Sequence, residues 1–196
     1  MQPVEIKLYS DYKSPFAWLA FDPGFALEER YHVRVRWIPF QLRIKGKGAR
    51  SVYSEFKVRY SYLDARRWAQ PRGLLIRGPR KIYDTTPALI GGLFARNHGR
   101  LLDYSRRAYE LFFRREFEAD QPAAVETLLA ELGLPSALYP QYLAGPGMIA
   151  YEGAQAEAAA DQIFGVPIFV FAREPFWGYD RLPMLEERLT AAALQR

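Results

Sequence analysis

The order in which strand and helix signals follow one another restricts the fold of this chain more than any other feature. Val4-Glu5-Ile6-Lys7-Leu8-Tyr9 alternates apolar and polar residues with period two until Ser10-Asp11-Tyr12-Lys13 breaks the pattern. Val33-Arg34-Val35-Arg36-Trp37-Ile38-Pro39 alternates again and stops at its proline. Between them, Ser14 as a cap and Pro15 in the first turn open a helix with Phe16, Leu19, Ala20, Ala26 and Leu27 on one face. Pro23-Gly24 should kink or interrupt that helix. A β-α-β unit is therefore complete by residue 40.

After a basic, glycine-containing loop over Gln41 to Ser51, helical spacing dominates from about Val52 to Ile163. The helices expected there are Val52 to Gln70, Pro87 to Arg96, Leu101 to Phe117, Ala123 to Leu132, Pro135 to Leu143 and Met148 to Ile163. Gly99, Gly133 and Gly145 read as C-cap residues. Ile168-Phe169-Val170-Phe171 is a continuous apolar run suited to a strand covered on both faces, and Phe176-Trp177 offers it a short hairpin partner. Asp180 or a neighbour should cap a last helix running through Leu194. The expected class is α/β: a β-α-β … β-β-α core over residues 1–41 and 164–196, interrupted by an all-helical insertion over 42–163.

Several chemistries are excluded at once. The 196 residues include no cysteine, which removes disulfides, thiolate metal sites and a cysteine nucleophile. With 49% apolar residues the chain can bury a core without a metal or covalent staple. The net charge of +5 is spread over Arg43, Lys45, Lys47 and Arg50, over Arg77, Arg80 and Lys81, and over Arg106, Arg107, Arg114 and Arg115, with no nucleic-acid motif. Neither nucleic acid nor membrane is an expected partner, and a cytoplasmic location is expected. His32 and His98 form no metal or triad pair, and His98 before Gly99 suits a helix C-terminus.

Two motifs carry the chemistry. Ser14-Pro15-Phe16-Ala17 stands directly after the first strand, and Gly165-Val166-Pro167 directly before the third. Alone, Ser14-Pro15 is equally an ordinary helix start, and Val166-Pro167 an ordinary strand start. Two further segments lie in order with them: Lys57, Tyr60 and Asp64 leading to Arg67-Trp68-Ala69, and Phe176-Trp177-Gly178-Tyr179-Asp180-Arg181-Leu182. The set resembles the 2-hydroxychromene-2-carboxylate isomerase group, which is similar to kappa-class glutathione transferases and more distantly to DsbA-like disulfide oxidoreductases.

That resemblance implies a thioredoxin-like core with a helical insertion, and glutathione (or another low-molecular-weight thiol) as cofactor. Ser14 would stabilise the thiolate at a helix N-terminus, where unpaired N–H groups favour an anion. Val166, before a cis Pro167, would pair with the cysteinyl backbone of glutathione as a short strand does. Trp177, Gly178, Tyr179 and Asp180 would hold its γ-glutamyl end, Asp180 meeting the ammonium group, although by burial tendency Trp177 belongs in the core. Lys45 and Tyr83 fall near substrate-contacting positions of the isomerases, each with a one-residue gap. Ser51-Val52 stands where those enzymes carry Asn-Arg, and Lys13 replaces an apolar residue, adding a charge that could assist a thiolate or accept an acidic group. Lys57, Tyr60, Asp64 and Arg67 share a helical face that an ion-pair network would also explain. The implied activity is a glutathione-dependent isomerisation of a small conjugated, aromatic, carboxylate-bearing substrate, by a homodimer joined through the insertion. The alternatives are a kappa-type glutathione transferase and a non-catalytic DsbA-like binding protein.

Overall fold

The computed structural model describes residues 2–42 and 55–196; Lys45, Ser51-Val52 and most of the basic loop lie outside them. The alternating segments form the sheet. β1 (Val4–Ser10) runs parallel to β2 (Val33–Pro39), with Val4 opposite Val33 and Ser10 opposite Pro39. On its other side β1 pairs antiparallel with β3 (Ile168–Phe171), Leu8 facing Phe169. β4 (Glu174–Trp177) completes the order β2-β1-β3-β4.

Period-two alternation splits the side chains between two apolar layers. Leu8, Val35, Trp37 and Phe169 enter the large core formed with the helices. Tyr9, Ile38, Val166 and Ile168 enter a smaller layer against Ala154 and Ala158 of α8 (Pro146–Ala160). β3 is apolar throughout because both its faces are covered.

α1 (Pro15–Phe25) is continuous through Pro23, contrary to the interruption expected from the sequence. Pro23 has no N–H for the Leu19 carbonyl, which would otherwise lose its helical partner. Arg72 fills that vacancy from a distant segment, its Nη1 donating to Leu19 O at 2.9 Å. Gly24 is required by space: a Cβ there would lie 2.7 Å from the Phe169 ring.

The chain continues through α2 (Leu27–Arg30) into β2, and after the undescribed segment through α3 (Glu55–Ala69), α4 (Thr86–Asn97), α5 (Leu101–Arg114), α6 (Pro122–Glu131) and α7 (Tyr139–Ala144). α4 is buried from Ala88 to Ala95 and packs against α5, α6, α7 and α8. α5 stops at Arg114 rather than Phe117, because Arg115 turns left-handed (φ 65°) and closes the helix. Gly99 and Gly133 take the left-handed conformation expected of them, whereas Gly145 does not: at φ −133° it is the joint between α7 and α8. His98 Nδ1 meets the Phe94 carbonyl at 2.9 Å, satisfying the end of α4. The last helix, α9 (Leu182–Ala191), ends three residues early, and the Leu194 carbonyl accepts the His32 N–H instead. Among the described residues no helix is long and apolar enough to cross a membrane. Arg106, Arg107 and Arg114 of α5 are each paired with a carboxylate, on Asp22, Glu131 and Glu110 respectively.

Charge fastens α8 to the sheet. Lys7 bridges Glu157 (2.8 Å) and Asp161 (2.5 Å), the Tyr9 hydroxyl donates to Asp161, and Arg36 forks onto Glu157. The fork from Arg36, aided by Lys7 and opposed by burial, holds the Glu157 carboxyl down to about 2 from 4.5. A folded-state value below the unfolded one means the stabilisation is complete above pH 4.5 and fades as the pH falls towards 2. Urea midpoints at pH 7 and pH 3 should therefore differ less for Glu157→Gln than for the wild type; equal differences would count against this latch.

Candidate active site

β1 delivers Ser14 to the mouth of α1. The Ser14 N–H donates to the Asp11 carbonyl, and the residue is extended (φ −92°, ψ 117°), as an N-cap must be. Its Oγ accepts the Ala17 N–H at 3.2 Å and donates to the Val166 carbonyl at 3.3 Å. Pro15 has no N–H to offer, and the Phe16 N–H has no partner among the described residues, leaving one first-turn donor open. Ser14, Pro15 and Phe16 all line one open cleft.

Across that cleft stands Val166, joined to Pro167 by a cis peptide. The Val166 N–H makes no hydrogen bond among the described residues. The Pro167 carbonyl accepts the Gly178 N–H at 3.0 Å, which draws the 178–181 turn alongside. Gly178 has φ 113°, a conformation a side chain would strain, and a Cβ there would meet the Asp180 carboxylate at 2.5 Å.

Trp177 is 52% exposed rather than packed in the core as burial tendency predicts. It sits on the edge strand, where the pleat turns it outward over Gly165 and against Phe164. Asp180 does not cap α9: the cap position is Arg181, with no side-chain bond, and the Asp180 carboxylate pairs with that arginine at 2.7 Å. Both Trp177 and Asp180 line the cleft, with Gly178 and Tyr179.

Beneath Ser14 lies a polar cluster that no sequence motif announces. Asp11 is fully buried and accepts from Lys13 N (3.2 Å), Leu42 N (2.7 Å), Thr85 Oγ1 (2.8 Å) and Lys13 Nζ (3.0 Å). Lys13 Nζ also donates to Thr85 Oγ1 and the Tyr83 carbonyl. The charge expected to serve a thiolate or a substrate is thus engaged by the protein itself, because a buried ammonium must find acceptors. The one signal in the sequence was the opposite charge of Asp11 and Lys13, two residues apart in the break between β1 and α1.

Tyr83 is buried against Phe112, lines the cleft, and donates its hydroxyl to Glu118 at 3.2 Å; burial and that carboxylate raise its pKa. Lys57, Tyr60 and Asp64 face the cleft from α3, while Arg67 reaches Asp64 at 3.9 Å from an exposed position. Lys45, the other expected substrate contact, lies outside the described residues. The cleft measures 1810 Å³, above the roughly 300–1,000 Å³ of a single small-molecule pocket. Its described wall carries eight basic side chains against two carboxylates, with aromatic rings from Phe56, Tyr60, Trp68, Tyr83 and Trp177. Among the described residues no group of histidines and carboxylates could hold a metal ion.

The mixed four-stranded sheet with its helices has counterparts among known proteins. A sequence profile described as a DSBA-like thioredoxin domain matches residues 5–190. The chain belongs to the DSBA-like thioredoxin family. Within that breadth of similarity, the 2-hydroxychromene-2-carboxylate isomerase of Pseudomonas putida is 25% identical over 190 residues, 94% of this chain and 93% of that one. A solved 2-hydroxychromene-2-carboxylate isomerase structure superposes with a TM-score of 0.80 at 23% identity, covering 97% of this chain and 96% of that chain. Cytosolic disulfide reductase DsbM from Pseudomonas aeruginosa, solved with GSH, gives 0.64 at 17% identity, over 95% and 100%. The fold is shared with proteins of disulfide chemistry, but exchange requires a protein thiolate, and this family member has no cysteine to supply one.

Proposed function

We propose that the protein is a glutathione-dependent isomerase acting on a small conjugated aromatic acid in the cytoplasm, with Ser14 stabilising the thiolate. The observation that carries this reading is the 3.3 Å contact from the Ser14 hydroxyl to the Val166 carbonyl, made inside one cleft that both residues line. The donor set fits an external thiol. The Ser14 hydroxyl and the unpaired Phe16 N–H lie together at the positive end of α1, which favours an anionic sulfur there. The unpaired Val166 N–H, beside a carbonyl that accepts only the Ser14 hydroxyl, offers a backbone edge to a peptide-like ligand. Asp180 places a carboxylate at the rim for an ammonium group.

Glutathione, when bound, would supply a nucleophile that adds reversibly to a conjugated carbon and leaves after bond rotation. The chain's own part is to bind, orient and hold charge. Ser14 and the first turn of α1 favour the thiolate over the thiol, whose ordinary pKa of about 8.5 would leave it mostly protonated. Lys13, Lys81 and Arg181 are engaged by carboxylates of the protein itself, but Arg59, Arg66, Arg80 and Arg115 make no ion pair among the described residues and can attract a carboxylate, while the aromatic wall accepts a flat ring. The similarity in sequence to the Pseudomonas isomerases supports the choice of reaction.

Titration calorimetry with glutathione tests the first half of the proposal. Binding at millimolar ligand or tighter is expected, and none at that concentration would sink it. The second half is tested by following 2-hydroxychromene-2-carboxylate with and without glutathione: conversion should require the thiol, and the product should retain the substrate's mass. A product carrying the tripeptide would instead make the protein a transferase.

A further inference from the structure

Arg72 lies outside the cleft wall, yet it joins two elements that form it. Its Nη1 donates to the Leu19 carbonyl at 2.9 Å, the acceptor that Pro23 leaves unpaired in α1. Its Nη2 donates to the Tyr179 hydroxyl, and the guanidinium carbon stands 4.5 Å from the centre of the Tyr179 ring. Trp68 meets the same ring edge-on at 5.3 Å. Tyr179 is thereby gripped between an arginine and a tryptophan contributed by the segment that ends α3.

Tyr179 opens the short 3-10 turn Tyr179–Arg181, which carries Asp180 to the cleft. That turn is at most half-buried, and beyond Arg72 and Trp68 its polar support is an Asp180–Arg181 ion pair in solvent, one long backbone bond from Arg181 N–H to the Gly178 carbonyl (3.3 Å) and the Gly178 N–H bond to Pro167. A planar fork that donates in two directions can fix its position relative to α1, whose N-terminus holds Ser14. We infer that Arg72 is a positioning residue for the thiol subsite, acting through Tyr179 to hold the 178–181 rim at a set distance from α1. This rests on the thiol-binding reading above. It assigns Arg72 a role in how tightly the ligand is held and none in the chemistry at Ser14.

The test is glutathione titration of the full chain as wild type, Arg72→Met, Arg72→Lys, Tyr179→Ala and the Arg72→Met/Tyr179→Ala double variant, with turnover and thermal melts alongside. Arg72→Met should weaken glutathione binding about five- to tenfold and raise its KM in step, with kcat at saturating glutathione within about twofold of wild type. Arg72→Lys should recover little, because a single nitrogen on a flexible stem has neither the two spread nitrogens that reach Leu19 and Tyr179 nor the planar face that lies over the tyrosine ring. In the Tyr179→Ala background the same arginine change should add less than about twofold. If the wild type does not bind glutathione, the underlying reading fails and the inference with it. If the wild type binds and Arg72→Met binds equally well, with only its melting temperature lowered, the inference alone is overturned. An undiminished effect of Arg72→Met in the Tyr179→Ala background would overturn it too. Should Arg72→Met not fold, Arg72→Lys carries the same comparison.

Discussion

Ser14→Ala should lower kcat about a hundredfold while leaving the protein folded. On the proposed reading the hydroxyl is the side-chain donor that the start of α1 offers to a bound thiolate, and loss of a donor aimed at developing or resident negative charge costs on the order of 10²–10³ in rate. The structural cost is separate and smaller. Oγ caps Ala17, and removing an N-cap costs about 1 kcal/mol. The two effects divide cleanly in the assay: the thermal midpoint moves by a few degrees, while the pKa of bound glutathione, read from thiolate absorbance, rises. Ser14→Thr, which keeps both hydroxyl functions, should retain most activity. Full activity in Ser14→Ala would remove the residue from the mechanism.

Asp11→Ala should produce the largest loss of stability. This carboxylate has no exposure to solvent and accepts from four donors. Truncating it strands the Lys13 ammonium in the interior together with the Leu42 N–H and the Thr85 hydroxyl. Breaking a buried pair in this way costs about 3–5 kcal/mol, roughly 6–20 °C in melting temperature for a chain of this size. Adding Lys13→Met should restore part of the loss, since no unpaired charge then remains buried. Urea denaturation of the two variants decides the matter; a cost below about 1 kcal/mol for Asp11→Ala would mean that water reaches the site.

The sheet was legible because alternation is a local signal. Leu8 and Tyr9 point to opposite faces whatever packs there, and the apolar run Ile168 to Phe171 suits the covered strand it forms. Ser14-Pro15 was legible for a similar reason, since a cap and a first-turn proline act on the helix that contains them. What could not be read depends on partners far along the chain. Pro23 would end α1 in isolation, and the arginine that rescues its lost hydrogen bond lies at position 72. Lys13 is a cation beside the serine in sequence, but Asp11 and Thr85 claim it in space. Asp180 has the residue type of a cap, and Arg181 draws its carboxylate away. Trp177 has the size of a core residue, and only the edge position of β4 turns it out to the cleft.

One lone pair of the Ser14 oxygen is committed to Ala17, and its proton, which points at Val166, is the part that can turn without disturbing that cap. Redirecting it towards an incoming anion takes a turn about one C–O bond, a motion of picoseconds to nanoseconds that needs no displacement of backbone. As the proton swings away, the Val166 oxygen becomes available to an amide of the arriving molecule. Readiness of this centre for the proposed thiol is therefore a matter of one torsion.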